Sequence, residues 1–198
     1  MDGWPASLHH DRVGVRPLRR RDKTAWRIVR TRNQDWLRAW EATLPPGSAP
    51  ATSTFSSMVR ESRRSARRGQ GMPFVTTYDD RLVGQVTVSS ITWGSARWAG
   101  LGYWVDRQVA GLGVTPTAVA LVADHCFRTV GLHRLEIAVR PENVASLRVA
   151  EKLGFRQEGR APRYLHIDGG WRDHVLFALT LEEVGRGVLE EYLRRTGV

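Results

Sequence analysis

The chain of 198 residues has a single cysteine. Cys126 therefore has no partner for an internal disulfide, which excludes a disulfide-stapled scaffold and agrees with a reducing cytoplasm. Its neighbours Val122, Ala123 and Phe127 are those of a buried structural thiol rather than a nucleophile. No apolar run approaches the ~20 residues that cross a bilayer. The stretch MDGWPASLHHDRVGVRP, residues 1–17, lacks the h-region and cleavage pattern of a secretory signal. Lysine is scarce too, with only Lys23 and Lys152, so the formal charge of +10 is an arginine charge. His133, His166 and His174 have no ligand-type spacing to another His, Cys or carboxylate cluster, so no metal site is expected and each reads as structural.

What is present is an ordinary globular composition, 41% hydrophobic and 25% charged, in a length that suits one domain with a real core. VGVRP, 13–17, reads as a first strand. From Asp22 the period turns helical through Trp26 and Val29, breaks near Asn33, and resumes with Trp36, Leu37 and Trp40. LPPGSAPATST, 44–54, is a loop. In FSSMVRESRRSARRG, Phe55, Met58, Val59 and Ser62 share a helical face, and Gly69 stops the helix. PFVTTYDDRLVGQVTVSSI predicts two strands joined at Asp79-Asp80, and AGLGYWV predicts another over 99–105. A helix from about 115 to 129, a strand over 134–139 and an Asn143-started helix ending at Gly154 follow. A hairpin turns at Asp168-Gly169-Gly170, and 182–195 gives a short final helix. The order predicts one α/β (α+β) domain with a mixed, mostly antiparallel sheet. Its core spans about 13–181, with 182–198 as a helical tail. Strand–helix alternation is not sustained, which excludes a doubly wound dinucleotide fold.

QVAGLGVTPTAVALVADHCF, 108–127, places Gly111 and Gly113 just ahead of a helix. Glycines there allow a sharp turn and let a ligand approach the backbone. Thr115 can cap the helix, and Pro116 suits its first turn. Unpaired N–H groups and the helix dipole make an anion site; the alternative is a tight connection with no ligand. The loop is not a Walker loop, lacking G-K-[ST], and Pro116 stands where the third glycine of G-x-G-x-x-G would be.

Together with HRLEIAVRPENVASLRVAEKLGF, the segment GYWVDRQVAGLGVTPTAV resembles the acetyl-CoA-dependent N-acetyltransferase superfamily, often called GNAT. The resemblance covers roughly 13–180. Pro141 to Ser146, Glu158-Gly159 and Asp168 to Asp173 are similar to the ribosomal-protein alanine N-acetyltransferases of the RimJ and RimL type. The family's loop, Q/R-x-x-G-x-G/A, fits literally over Gln108–Gly113. The spacing from the preceding strand favours a register two residues later, with Ala110 at the Gln/Arg place, Gly113 central and Thr115 last.

The resemblance implies direct attack of an amine on the acetyl-CoA thioester. It assigns the diphosphate to the amides of Gly111, Leu112, Gly113, Val114 and Thr115. Backbone groups from Tyr103, Trp104 and Val105 would align the pantetheine. Asn143 would contact the cofactor or simply cap its helix. Ser146 would serve as acid or sulfur ligand, or face solvent. The RimI type's glutamate falls at Ala138 and the RimL type's near Pro162-Arg163-Tyr164, so neither base is present. Glu136, two residues earlier on the same strand face, either acts through a water or pairs with an arginine.

Arg60, Arg63, Arg64, Arg67 and Arg68 crowd the helix 55–69, and RPLRRRDK adds a second cluster. They make either a solvated face or a contact with RNA or a ribosomal particle. The tryptophans at 26, 36 and 40 read as core or substrate groove. The expected acceptor is the α-amine of a protein such as a ribosomal protein, beginning with Ala or Ser, in the cytoplasm. Two alternatives stay open: a small-molecule amine acetyltransferase acting on aminoglycosides or polyamines, and a non-catalytic RNA-binding module. The first would need an acidic groove, and the second lacks aromatics interleaved with its arginines.

Overall fold

The computed structural model describes residues 3–48 and 54–197; residues 49–53 of the expected loop at 44–54 lie outside that description. The strands are β1 (Leu8–His10), β2 (Val13–Pro17), β3 (Met72–Tyr78), β4 (Arg81–Thr92), β5 (Trp98–Val105), β6 (Arg134–Val139), β7 (Arg156–Ile167) and β8 (Gly170–Thr180). The helices are α1 (Lys23–Arg32), α2 (Gln34–Arg38), α3 (Phe55–Arg67), α4 (Val114–His125), α5 (Val144–Lys152) and α6 (Val188–Thr196). One sheet holds the strands in the order β1-β2-β3-β4-β5-β6-β8-β7. Every neighbouring pair is antiparallel except β5 with β6. The mixed, mostly antiparallel sheet flanked by helices is thus the one expected.

Local chemistry accounts for the turns. Asp79 and Asp80 both have positive φ, 48° and 61°, as a two-residue hairpin demands, and Asp tolerates that region. Asp168 and Gly169 repeat the device between β7 and β8. β7 starts at Arg156, eight residues before the hairpin expected from sequence. Gly159 and Pro162 break the alternation there, and the register shifts at both. The strand tolerates them because it lies at the sheet edge. β1, three residues long, carries too little pattern to be read.

Two cores hold the layers together. On one face α4 packs Val114, Ala118, Val119, Val122 and Ala123 against the sheet, all fully buried, beside Phe74 and Leu135. Each large side chain so buried stabilises by roughly 1.5–3 kcal/mol. The helix continues through Cys126–Val130 as a π-turn and stops at Gly131, φ 78°. Burial holds the Cys126 thiol well above its usual range, so it is inert. On the other face Leu18, Val29, Val59, Val75 and Leu82 form a smaller cluster under α1 and α3, with Trp26 against it. The C-terminal helix joins the main core: Val188 and Tyr192 are buried there. Asp124 of α4 accepts from the Val188 and Leu189 amides at 2.7 and 3.1 Å, which caps α6.

Candidate active site

β5 and β6 run side by side only where Trp98–Gly100 pair with Arg134–Glu136. Beyond that point they part. Leu101–Val105 form one wall of a cleft of about 1070 Å³ and Ile137–Val139 the other. β5 is paired with β4 on its far side, so its backbone groups facing the gap have no strand partner. Such groups seek a hydrogen-bonding ligand. The volume exceeds the usual small-ligand pocket, as a long ligand and a second substrate would require.

The glycine loop opens beside this gap. Gly113, φ 78°, is the residue before the first turn of α4, so the cap is Gly113 and not Thr115. Thr115 and Pro116 lie inside that turn. Among the described residues, the Leu112 amide bonds to the Val109 carbonyl at 3.3 Å, whereas the amides of Gly111, Gly113, Val114 and Thr115 have no acceptor. A methyl group placed on Gly111 would meet nothing within 4 Å. Four free donors, open space and the positive end of α4 make a fitting cradle for a diphosphate. Thr115 lines the cleft; residues 111–114 lead into it without lining it.

A buried network fixes this loop. Asp106, at the end of β5, accepts from Asn33 Nδ2 at 2.9 Å, from the Gln108 amide at 3.3 Å and from the Arg32 guanidinium. Asn33 Nδ2 also reaches the Val29 carbonyl, and its Oδ1 accepts from the Arg107 amide at 2.9 Å. The helix break noticed at Asn33 is thus a bracket for the loop. The sequence marked the break but not its partner.

On the α4 side of the sheet, the Tyr103 hydroxyl meets Ser146 Oγ at 2.8 Å. Burial pushes the Tyr103 pKa up to about 12, against the opposing effect of that bond. The phenol therefore stays protonated, and either hydroxyl can donate in this bond. Asn143 Oδ1 accepts from the Ser146 amide at 3.1 Å and caps α5. Ser146 does not face bulk solvent alone; Tyr103, Trp104, Val105, Asn143, Ser146 and Glu136 all line the one cleft.

Glu136 lies on the opposite face of the sheet from the main core. Its Oε1 accepts from Arg134 Nε at 2.7 Å. Arg134 also holds Glu158 Oε1 at 3.1 Å, and these carboxylates raise the Arg134 pKa. Among the histidines, His133 is exposed and pairs with Glu182 at 3.0 Å, and His166 shares a 2.8 Å bond with Thr43. His174 differs: it is 2% exposed and lines the cleft. Trp36 and Trp40 also line the cleft, whereas Trp26 packs into the smaller core. No group of three His, Cys, Asp or Glu side chains suits a metal ion among the described residues.

Residues 12–156 match the profile of the acetyltransferase (GNAT) domain. The chain belongs to the GNAT acetyltransferase family. It is an N-acetyltransferase of the RimJ and RimL branch of this GNAT family. It is 32% identical over 177 residues to the [ribosomal protein uS5]-alanine N-acetyltransferase of Escherichia coli, covering 87% of this chain and 90% of that one. It is 42% identical over 104 residues to the Probable N-acetyltransferase YjcK of Bacillus subtilis, a match spanning 58% of that protein's length. Among solved structures, RimJ of Mycobacterium smegmatis in complex with CoA-disulfide superposes with a TM-score of 0.92 at 40% identity, covering 99% of this chain and 97% of that one. The GNAT family uses acetyl-CoA, and the cradle and gap described above fit that molecule.

Proposed function

We propose that this protein acetylates the N-terminal α-amine of a protein beginning with Ala or Ser, such as a ribosomal protein, in the cytoplasm. The observation that carries the cofactor side is the set of four unpartnered amides at the start of α4, opening on a gap between parted strands. Acetyl-CoA supplies an activated acetyl thioester. The amides of Gly111, Gly113, Val114 and Thr115 hold its diphosphate. The free edge of β5 from Tyr103 to Val105 aligns its pantetheine and orients the carbonyl. Ser146 Oγ, backed by the Tyr103 hydroxyl, delivers a proton to the departing thiolate. Asn143 fixes the first turn of α5 beneath it.

The acceptor side favours a singly charged amine. Among the described residues the cleft carries four carboxylates, and each is bound by arginine: Glu41 by Arg30 at 2.7 Å, Glu136 and Glu158 by Arg134, and Glu142 by Arg140 at 3.2 Å. A polycationic aminoglycoside or polyamine finds little uncompensated negative charge. Trp36, Trp40, Trp98 and Trp104 offer apolar walls to a peptide. Glu136 lines the cleft where the strands part, and there its role would be to order a water beside the amine.

Arg60, Arg63, Arg64 and Arg67 follow an i, i+3, i+4, i+7 stripe on α3 and are exposed. Among the described residues only Arg64 has a carboxylate partner, Glu61 at 2.9 Å. This stripe docks weakly and salt-dependently on an RNA-rich particle that carries the substrate. Incubation with acetyl-CoA and a panel of Ala-, Ser- and Met-initiated peptides, spermidine and an aminoglycoside, read by mass spectrometry, tests the acceptor. One acetyl group on the α-amine of an Ala or Ser peptide is expected. Transfer to the small amines alone, or to nothing, overturns the assignment.

A further inference from the structure

We infer that His174 takes the proton from the acceptor's amino group, an inference that rests on the acetyl-transfer reading above. The position carries it first. β8 pairs Leu176 with Ala138 and Ala178 with Glu136, and His174 follows two residues before Leu176 on the same face. That face lies opposite the main core, which takes Phe177 and Leu179 from the alternate positions. His174 therefore looks into the cleft from the side on which Glu136 and Ala138 stand, and it lines that cleft while being almost wholly enclosed.

The tautomer carries it next. Nδ1 of His174 lies 3.0 Å from the Arg172 carbonyl. A carbonyl only accepts, so Nδ1 bears the hydrogen and Nε2 holds the free lone pair. Among the described residues Nε2 has no partner, and no enclosed side-chain nitrogen or oxygen lacks one. Nε2 therefore keeps contact with the space of the cleft. The Tyr164 ring, 5.4 Å away centre to centre, braces the imidazole from β7.

The surroundings keep the ring neutral. Burial lowers its proton affinity and Arg140 adds to that, while the Arg172 carbonyl, Glu142 and Asp173 act in the opposite sense. The balance lies below the ordinary histidine value, so the imidazole is a free base at neutral pH. Asp173 is itself held by Arg160 at 2.9 Å, and Glu142 by Arg140. Among the described residues, no carboxylate in the cleft is similarly unclaimed.

The proton count closes. The acceptor enters as an ammonium and gives one proton to Nε2, which returns it to solvent. The neutral amine attacks the thioester carbonyl, forming the C–N bond as the C–S bond breaks. The nitrogen's second proton passes to the vacated Nε2 and on to solvent, while Ser146 gives its hydroxyl proton to the thiolate and is reprotonated from solvent. The products are an amide, a free thiol and one released proton.

The test is His174→Asn, whose amide N–H preserves the bond to the Arg172 carbonyl while removing the base. The acceptor is whichever amine in the panel the wild-type protein acetylates best, so a different preferred acceptor overturns the substrate reading without touching this one. The variant is expected to lose about 10²-fold or more in kcat, the usual weight of a general base. Its KM for acetyl-CoA should stay within about threefold, and the fall of wild-type kcat on the acid side of pH 6.5 should vanish. A kcat within about threefold of wild type, or an unchanged acid limb, overturns the proposal. Should the variant not fold, nitrogen-15 spectra of wild-type His174 decide it: a hydrogen on Nδ1 at pH 7 supports the role, and one on Nε2 or on both overturns it.

Discussion

Asn33, at the break between α1 and α2, donates from Nδ2 to Asp106 Oδ1 at 2.9 Å, and both residues are 1% exposed. The bond ties α1 and α2 to the loop ahead of α4, the proposed diphosphate cradle. Asn33 uses its other arm on the Arg107 amide, the first residue of that loop.

Replacing Asn33 with Ala leaves the buried Asp106 carboxylate one donor short and the part-buried Arg107 amide without its acceptor. The expected loss is roughly 2–3 kcal/mol of unfolding free energy, read by urea denaturation. CoA affinity, read by calorimetry, should fall with it. Unchanged stability would mean that the network is ornamental.

If Ser146 has the proposed role at the leaving thiolate, Ser146→Ala lowers kcat by about 10- to 100-fold with little change in CoA affinity. Tyr103→Phe should cost less, because the phenol acts one hydrogen bond further back. With its pKa near 12, Tyr103 stays protonated through neutral and mildly alkaline solution. The wild-type kcat should accordingly hold level from about pH 8 to pH 10, as expected for a donor that titrates later. An alkaline fall in that range, abolished by Tyr103→Phe, would contradict the assignment.

Gly113→Ala places a methyl group on a residue with φ 78° and 3.4 Å from the Tyr192 hydroxyl. The strain is about 1–2 kcal/mol, and the amide it displaces belongs to the proposed cradle. CoA binding should weaken about tenfold or more, since 1.4 kcal/mol is tenfold. Gly94→Ala is the control: its φ is 72° with open space around it, far in sequence from the loop. That variant should bind CoA as the wild type does.

His125 bonds to the Gly3 carbonyl at 2.7 Å and packs edge-on against Phe74. Burial lowers its pKa, outweighing the carbonyl's opposite pull. The unfolded chain then binds more protons than the folded one as the pH drops through 6.5. Stability is full above that value and is lost as the pH falls toward the depressed folded value. The melting temperature should be lower at about pH 5.5 than at pH 7.5, and His125→Gln should flatten the difference. An equal slope in the variant would assign the effect elsewhere.

The order of elements and the glycine loop were legible because local signals carry them. Asp79-Asp80 and Asp168-Gly169 announce their turns, and Asn143 announces α5 through its own cap. α4 shows apolar residues on all sides because it is enclosed. The failures are of long range. β7 hides behind Gly159 and Pro162 since only an edge position excuses them. Asn33 and Asp106 are 73 residues apart, and nothing in either segment names the other. His174 looked like its sequence neighbours because enclosure, tautomer and a view into the cleft are properties of the assembled sheet. Glu136 showed the opposite limit: its arginine was two residues away, but the strand had to be paired before that contact was defined.

A crystal structure of the protein with CoA bound tests the account most directly. The diphosphate oxygens should lie about 3 Å from the amide nitrogens of Gly111, Gly113, Val114 and Thr115, with the pantetheine running between β5 and β6. A diphosphate seated elsewhere, with those four amides turned to water or to the protein's own carbonyls, would contradict it.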